Sequence, residues 1–565
     1  MKVSVRKDGS ALSHAPDNWH AVDWRRVERN VRGMQIRIAK ATRESDWRRV
    51  KALQRMLTRT LSAKLYAVRR VTQNQGARTA GVDRELWDSP ESRWEAIGRL
   101  KRRGYKPLPL RRVFIPKANG KERPLGIPTM WDRAMQALYL LALEPVSEST
   151  SDPNSYGFRL NRSTADAMSQ IFVAMSQKGS ARWVLEADIK GCFDHINHEW
   201  LENHVPMDKE ILRKWLKAGL IYKGQLQATE AGTPQGGIIS PTLANVTLNG
   251  LERELIAHLG AKFGIAKAKK LKVNVVRYAD DFVITGDSQE VLEQEVWPWV
   301  EAFLAGRGLQ LSEEKTRITH IDTGFDFLGW NFRRYSGTLL IKPSKKNAQA
   351  FYRKVAETIS GNKTVKQASL IRLLNPMLRG WARYHSPVVA KEAYSRMESL
   401  IFRRLWRWSK RRHPSKSADW VRKKYFHSEG SRHWVFAVPV VREAGKGLLE
   451  LYQISGTEIR RHKKVKGAFN PFDPEWEQYG EQLREARMEH SMRHRRQWVS
   501  LYMSQSGLCA HCGCALTKET GWHDHHLEYR MHGGSDALSN RVLLHPDCHR
   551  QVHAGKIAVT KPARD

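Results

Sequence analysis

At 565 residues the chain is several domains long, and 96 Lys and Arg against 58 Asp and Glu leave a formal net charge of +38. That balance excludes an ordinary acidic enzyme and asks for a polyanionic partner, nucleic acid before an anionic membrane, while 41% hydrophobic and 9% aromatic residues exclude a disordered polycation. Four of the five cysteines (Cys509, Cys512, Cys514 and Cys548) crowd near the C-terminal end, leaving Cys192 apart, which excludes a disulfide scaffold and points to a metal site in a reducing compartment.

Residues 20–70 set Val27, Val31, Met34, Ile36 and Ile38, then Val50, Leu53, Leu57, Leu61 and Leu65, at helical spacing among basic side chains. The periodicity predicts a pair of amphipathic helices. From 105 to 330 the texture changes to short β-branched runs broken by Gly, Pro and Asn, such as WVLEADI, VNVVRYADDFVIT and FDFLGW. These predict an α+β fold on an antiparallel sheet. A very basic helical stretch follows from 345 to 430, then a shorter mixed region to 500, then a Cys/His-rich tail.

The segment 273–283 reads as strand, tight turn, strand, with Ala279, Asp280 and Asp281 at its tip. Asp favours turns, so Tyr278–Asp281 alone would equally suit a plain hairpin. The sharper sign is WVLEADIKGCFDHINH at 183–198, where an apolar strand ends in Asp188. If both elements share a sheet, Asp188, Asp280 and Asp281 converge, and three like charges so placed need a cation. Oxygen donors favour Mg2+. A pair of such ions about 4 Å apart serves the attacking hydroxyl and the leaving oxygen of phosphoryl transfer.

NQGARTAGVD (74–83), IPKANGKERPLGIPT (115–129), SYGFRLNRSTADA (155–167), ADIKGCFD (187–194), GTPQGGIISPTLAN (232–245), YADD (278–281), LSEEKTRI (311–318) and FDFLGW (325–330) follow one another in an order that resembles a known family. That family is the group II intron-encoded reverse transcriptases and maturases of the bacterial, chloroplast-like lineage, and the resemblance covers nearly the whole chain. It implies a right-hand polymerase with fingers and palm at 105–335, after an N-terminal extension at 1–104 that holds the basic helices and the first fingers block. It implies that Asp188 and Asp280 are the principal Mg2+ ligands, assisted by Asp281. It further implies that Phe193 excludes a 2′-hydroxyl, that Gln235 contacts the incoming nucleotide, and that Lys117 and Arg123 neutralise its triphosphate. Arg84 stands where the family often carries Gly, a change expected to alter a loop and not the chemistry.

LNPMLRGWARYH (374–385) and FRRLWRWSKRRHPSKSADWVRKKYF (402–426) combine cations with rings. Arg379, Arg403, Arg404, Arg407, Arg411, Arg412, Lys423 and Lys424 suit phosphates, and Trp381, Trp406, Trp408 and Trp420 can stack on unpaired bases. Any one of these Trp serves a helix–helix core equally well. The stretch resembles the family's α-helical thumb, the maturase or X domain at 336–430, which implies binding of the protein's own intron RNA. Residues 431–500, with Arg460–Lys464 and Arg493–Arg496, correspond by position to a small DNA-binding region for double-stranded target DNA.

In the tail, Cys509-x-x-Cys512 and His545-x-x-Cys548 suit a structural, tetrahedral Zn2+ site, with Cys514 as a substitute for one ligand. Together with His525-His526, Gly533-Gly534, Asn540 and His549 they resemble the HNH nuclease pattern, a zinc-containing ββα domain at 501–565. The resemblance implies that His526 is the general base, that His525 and His549 hold a divalent metal, and that Asn540 braces the loop carrying the base. His545 replaces a Cys common in relatives, which imidazole tolerates as a zinc ligand. A domain this small is expected to need its zinc to fold.

The expected protein is an RNA-directed DNA polymerase that uses dNTPs, a maturase that promotes splicing of its intron RNA, and an endonuclease that nicks target DNA for target-primed reverse transcription. The alternative is an RNA-binding splicing cofactor on a non-catalytic polymerase scaffold; the joint presence of Asp188, Asp280, Phe193 and Gln235 argues against it. No apolar run reaches bilayer-spanning length and MKVSVRKDGSALSH lacks an apolar leader. The expected location is the bacterial cytoplasm, at the nucleoid when DNA is bound, with no membrane partner.

Overall fold

The computed structural model describes residues 18–116, 122–233, 236–442, 445–492, 496–529, 534–535, 537–555 and 557–561. The basic N-terminal stretch forms three helices, Trp24–Arg43, Trp47–Arg59 and Leu61–Thr72, where periodicity predicts two. Both breaks have local causes. Ser45 adopts φ 57°, and the Asp46 and Thr60 side chains accept the N–H groups of Arg49 and Ala63, capping the helices that follow. Val27, Val31, Ile38, Val50, Leu53, Leu57 and Leu65 are buried, and the three helices pack on Met130–Thr150, itself buried along most of its length.

A four-stranded antiparallel sheet orders Asn274–Tyr278, Asp281–Gly286, Trp183–Asp188 and Arg317–His320. A second sheet orders Glu122–Ile127, Leu110–Pro116, Leu220–Tyr222 and Gln225–Gln227, with one parallel pairing between Leu110–Pro116 and Leu220–Tyr222. Phe325–Phe327, Trp330–Tyr335 and Thr338–Pro343 make a third.

The basic region then folds as Lys345–Gly361, Gln367–His385, Lys391–Arg411 and Ala418–Tyr425. Its core does not stop at 430, because Phe426–Glu429, Arg432–Arg442 and Gly445–Glu450 form an antiparallel sheet that closes over it. Phe436 meets Trp408, and the Asn375 amide donates to the Glu450 carbonyl at 2.8 Å. The following segment returns to the helix Thr164–Met175. There the buried Asp166 accepts from His462 at 2.8 Å, from the Val465 N–H at 2.8 Å and from Arg487 at 2.9 Å. Part of the basic cluster at 460–464 is therefore spent on packing.

The tail pairs His523–His526 with Arg541–Leu544 and lays the helix Pro546–Gly555 against them, a ββα arrangement. Among the described residues no helix is long and apolar enough to cross a membrane.

Candidate functional sites

Strand register builds the carboxylate cleft. Asp188 lies opposite Asp281, which also pairs with Tyr278, so Ala279 and Asp280 form a two-residue turn. Ala279 takes φ 60°, the left-handed backbone common in such hairpin turns. Gly157 approaches so closely that a Cβ on it would fall 2.2 Å from the Ala279 nitrogen. Beneath the turn Arg277 is buried and donates to the Ala279 carbonyl and to Asn245, both at 3.1 Å. Asn245 in turn donates to the Gly157 carbonyl at 2.8 Å, so the tip is held from below.

Burial and then the Asp188 charge raise the pKa of Asp280. Burial, the Asp280 charge and a hydrogen bond with Asp188 lift Asp281 above the ordinary carboxylate range. Two cations offset this crowding. Lys315 Nζ donates to Asp188 Oδ2 at 2.5 Å, and the charge of Arg123, on the strand Glu122–Ile127, reaches Asp280. Phe193 is half-buried on the short helix Cys192–His195, edge-on to the exposed Phe158 at 6.2 Å. The Thr233 N–H donates to the Phe193 carbonyl at 2.6 Å, which ties the GTPQGG loop to the cleft. Lys117 and Gln235 lie outside the described residues.

In the tail, alternation along His523–His526 sends His525 and His526 to opposite faces of the ribbon. His525 is buried, and the helix Pro546–Gly555 presents His549 and His553 one turn apart beside it. One ring nitrogen from each of the three lies within 4.8 Å of the others. Burial and neighbouring imidazoles hold His525 and His549 down at about 4, so both are neutral and able to ligate near pH 7. The Asn540 side chain accepts the Glu528 N–H at 2.8 Å and donates to the carbonyls of Glu528 (3.0 Å) and Ser535 (2.8 Å). It pins the loop that leaves His526.

Cys509, Cys512, His545 and Cys548 form a second group, all buried, with ligand atoms within 4.8 Å. His545 Nε2 lies 3.2 Å from the Ala515 carbonyl, so the proton belongs there and Nδ1 faces the thiols. Three soft sulfurs and one imidazole fit Zn2+. Cys514 stands outside this group and receives Arg69 Nη1 at 3.4 Å.

Among the basic helices, Arg403, Arg407 and Arg411 are exposed along one face of Lys391–Arg411, and Lys423 and Lys424 are exposed on Ala418–Tyr425. Arg404 is half-buried, and Arg379 sits over the Tyr452 ring at 5.2 Å. Arg412 donates to the carbonyls of Lys363 and Val365 at 2.7 and 3.0 Å, fastening a loop. Trp381 departs from the expected role. It is buried, stacks on Phe351 at 4.9 Å and donates to Asn347 at 3.0 Å, so its ring serves helix packing and not a base.

Two residues of these sites, Lys315 and His553, lie outside the expected set, and only the first escapes sequence reasoning. Lys315 meets Asp188 only because Arg317–His320 pairs with Trp183–Asp188, which no local spacing announces. His553 was legible, four residues beyond His549 on a helix.

Residues 115–332 match the reverse transcriptase (RNA-dependent DNA polymerase) family and residues 19–100 the N-terminal domain of reverse transcriptase. Residues 348–426 match the group II intron maturase-specific domain and residues 509–555 the HNH endonuclease family. The chain is 34% identical over 304 residues to Protein YkfC of Escherichia coli, covering 46% of this chain and 78% of that one. It is also 34% identical over 334 residues to the group II intron-encoded protein LtrA of Lactococcus lactis, covering 48% of this chain and 55% of that one. Against the 91 kDa protein in the cob intron of Schizosaccharomyces pombe, identity is 28% over 399 residues, covering 57% and 49%. The chain thus spans about half the length of the latter two relatives.

Proposed function

The chain belongs to the group II intron-encoded reverse transcriptases and maturases that carry an HNH endonuclease domain, and from that premise we propose how its parts divide the work of a mobile intron. It is an RNA-directed DNA polymerase and a DNA endonuclease joined to a maturase domain. The sheet bearing Asp188, Asp280 and Asp281 acts as the palm, the sheet bearing Arg123 as the fingers, and the helices from 345 to 425 with the sheet at 426–450 as the thumb. The segment from 451 to 500 takes the DNA-binding role. Partners are the intron RNA, double-stranded target DNA and dNTPs.

Asp188, Asp280 and Asp281 would hold Mg2+, which would make an attacking 3′-hydroxyl more acidic and offset the negative charge on a leaving phosphate oxygen. The protein's own groups do the rest. Arg123 and Lys117 draw in the triphosphate and balance the charge that builds on its leaving oxygens. Phe193 fills the space a 2′-hydroxyl would need, Gln235 bears on the incoming nucleotide, and Arg277 keeps the Asp280 turn in place. Lys315 holds Asp188 in orientation through its ion pair. Along the thumb, Arg403, Arg407, Arg411, Lys423 and Lys424 pair with intron phosphates.

His525, His549 and His553 would hold the nuclease's divalent cation, which takes charge from a leaving 3′-oxygen. His526 accepts the proton of the attacking water, and Asn540 fixes the loop behind it. Cys509, Cys512, His545 and Cys548 would hold a structural zinc. Nicking one DNA strand yields the 3′-hydroxyl that the palm extends along the intron RNA.

The observation that carries the polymerase reading is the register that sets Asp188 opposite Asp281 beside the Asp280 turn. Primer extension on an RNA template by the purified, nuclease-treated chain tests it, with Asp280→Ala beside the parent. Extension by the parent alone supports the reading. A folded, RNA-binding parent that extends nothing would favour the splicing-cofactor alternative.

A further inference from the structure

The Cys/His cluster of the tail is not closed by its own segment. Arg69, on the N-terminal helix Leu61–Thr72, inserts its guanidinium at the cluster, with Nη2 3.2 Å from Cys512 Sγ and 3.4 Å from His545 Nδ1, and Nη1 3.4 Å from Cys514 Sγ. The side chain is 6% exposed, its Nε donates to Gln73 Oε1 at 3.3 Å, and its plane lies over the Trp24 ring at 4.5 Å. Two further contacts join the same surfaces. Arg93 Nη1 meets Asp547 Oδ2 at 3.1 Å with both side chains buried, and Asp547 directly precedes the ligand Cys548. Gly513, between Cys512 and Cys514, presses on Arg25 so closely that a Cβ there would overlap it.

The charges give this arrangement a reason. Three thiolates, a neutral imidazole and one zinc dication leave a single net negative charge. Buried and unpaired, such a charge is strongly destabilising. Arg supplies the matching charge, is never deprotonated, loses less on dehydration than an ammonium, and presents a fork whose N–H groups reach two sulfurs at once.

Resting on the reading of Cys509, Cys512, His545 and Cys548 as a zinc site, we propose that Arg69 is the counter-charge of the loaded cluster. The cluster is thereby a metal-dependent latch that docks the nuclease onto the N-terminal helices of the polymerase. Zinc then does more than fold the tail. It fixes where the nick is made relative to the unit that extends it, and its loss frees the tail from the N-terminal helices as well as unfolding it.

The test uses the full chain, with zinc content and the rate of zinc transfer to a chelating dye measured beside hydrogen exchange of Leu61–Thr72 and Trp24–Arg43. In the parent, chelation should speed exchange in both helices as well as in the tail. Arg69→Gln should release zinc about tenfold faster or more, as loss of an outer-shell partner does, and leave the helices' exchange insensitive to chelation. Arg69→Lys, which keeps the charge but not the fork, should fall between the two and remains informative if Arg69→Gln does not fold. Cys514→Ser removes one sulfur from Arg69 without touching a ligand and should give a smaller shift in the same direction. Zinc held equally well by Arg69→Gln, with helices indifferent to chelation in the parent, overturns the latch alone. A folded parent that binds no zinc overturns the cluster reading itself.

Discussion

The carboxylate cleft and the histidine group of the tail both consist of donors suited to a divalent cation, yet they are assembled in opposite ways. The cleft brings like charges together across a sheet, and Lys315, 127 residues from Asp188, compensates with a 2.5 Å contact. Burial and the neighbouring negative charges drive up the pKa of Asp280 and Asp281. The tail instead gathers three imidazoles from one ribbon and one helix, of which burial holds His525 and His549 neutral near pH 7. No countercharge is needed there. What the tail needs is a fold small enough to be held by the neighbouring Cys/His cluster. The cleft therefore depends on sheet register and the tail on its Cys/His cluster.

The sharpest way to break this contrast is a crossed pair of substitutions. Asp280→Ala should lower primer extension about a thousandfold or more, since several kcal/mol of charge stabilisation is lost, and leave nicking of target DNA unchanged. Cys509→Ser should abolish nicking, with most extension retained. Equal loss of both activities in either variant would mean that the two sites are not separate machines.

A smaller effect separates the two metal groups within the tail. His553→Ala removes one of three imidazoles while the Cys/His cluster stays whole, so zinc content should match the parent and nicking should fall by about tenfold to a hundredfold. Raising the divalent cation concentration should recover part of the loss. Nicking at the parental rate would take His553 out of the group.

Legibility followed the same division. Residues adjacent in sequence announced themselves: Asp280 with Asp281, His525 with His526, and the two Cys/His ligand pairs, because turn and helix spacing are local properties. Asp188 was also readable as the end of an apolar strand. Lys315 was not, since its role exists only through strand pairing. The sheet from 426 to 450 joins the helical core only through contacts such as Phe436 with Trp408 and the Asn375 amide with the Glu450 carbonyl, which a period-two pattern cannot reveal. Trp381 illustrates the limit for aromatic residues: a ring among cations reads alike whether it faces solvent or, as here, a core. Arg69 shows it for charge, being one basic residue among many until folding brings it to Cys512.

The helical core beside these sites carries its own pH sensitivity, of more modest size. His385 is buried with Nε2 against Asn347 Oδ1 at 2.9 Å, and burial holds its pKa down at about 3. The unfolded chain takes up the proton first as pH falls below the ordinary value of about 6.5, so stability present at neutral pH is lost on acidification. Between pH 7 and pH 5 the loss is about 2 kcal/mol, read as faster hydrogen exchange of Gln367–His385 after correction for intrinsic rates. His385→Gln should flatten that dependence, and an unchanged slope would assign it elsewhere.

The smallest effect concerns Arg84, which holds φ 59° in its loop, in the left-handed region that favours glycine. The chain bears the strain of a side chain there. Relief of roughly 1–2 kcal/mol on Arg84→Gly is partly cancelled by about 0.4–1 kcal/mol of added freedom in the unfolded chain, leaving a slight gain. A melting midpoint raised by about 1–2 °C with extension and nicking unchanged is the expected result. Weaker binding of RNA at moderate salt would instead mean that the exposed guanidinium contacts phosphate, and that the strain is tolerated for that contact.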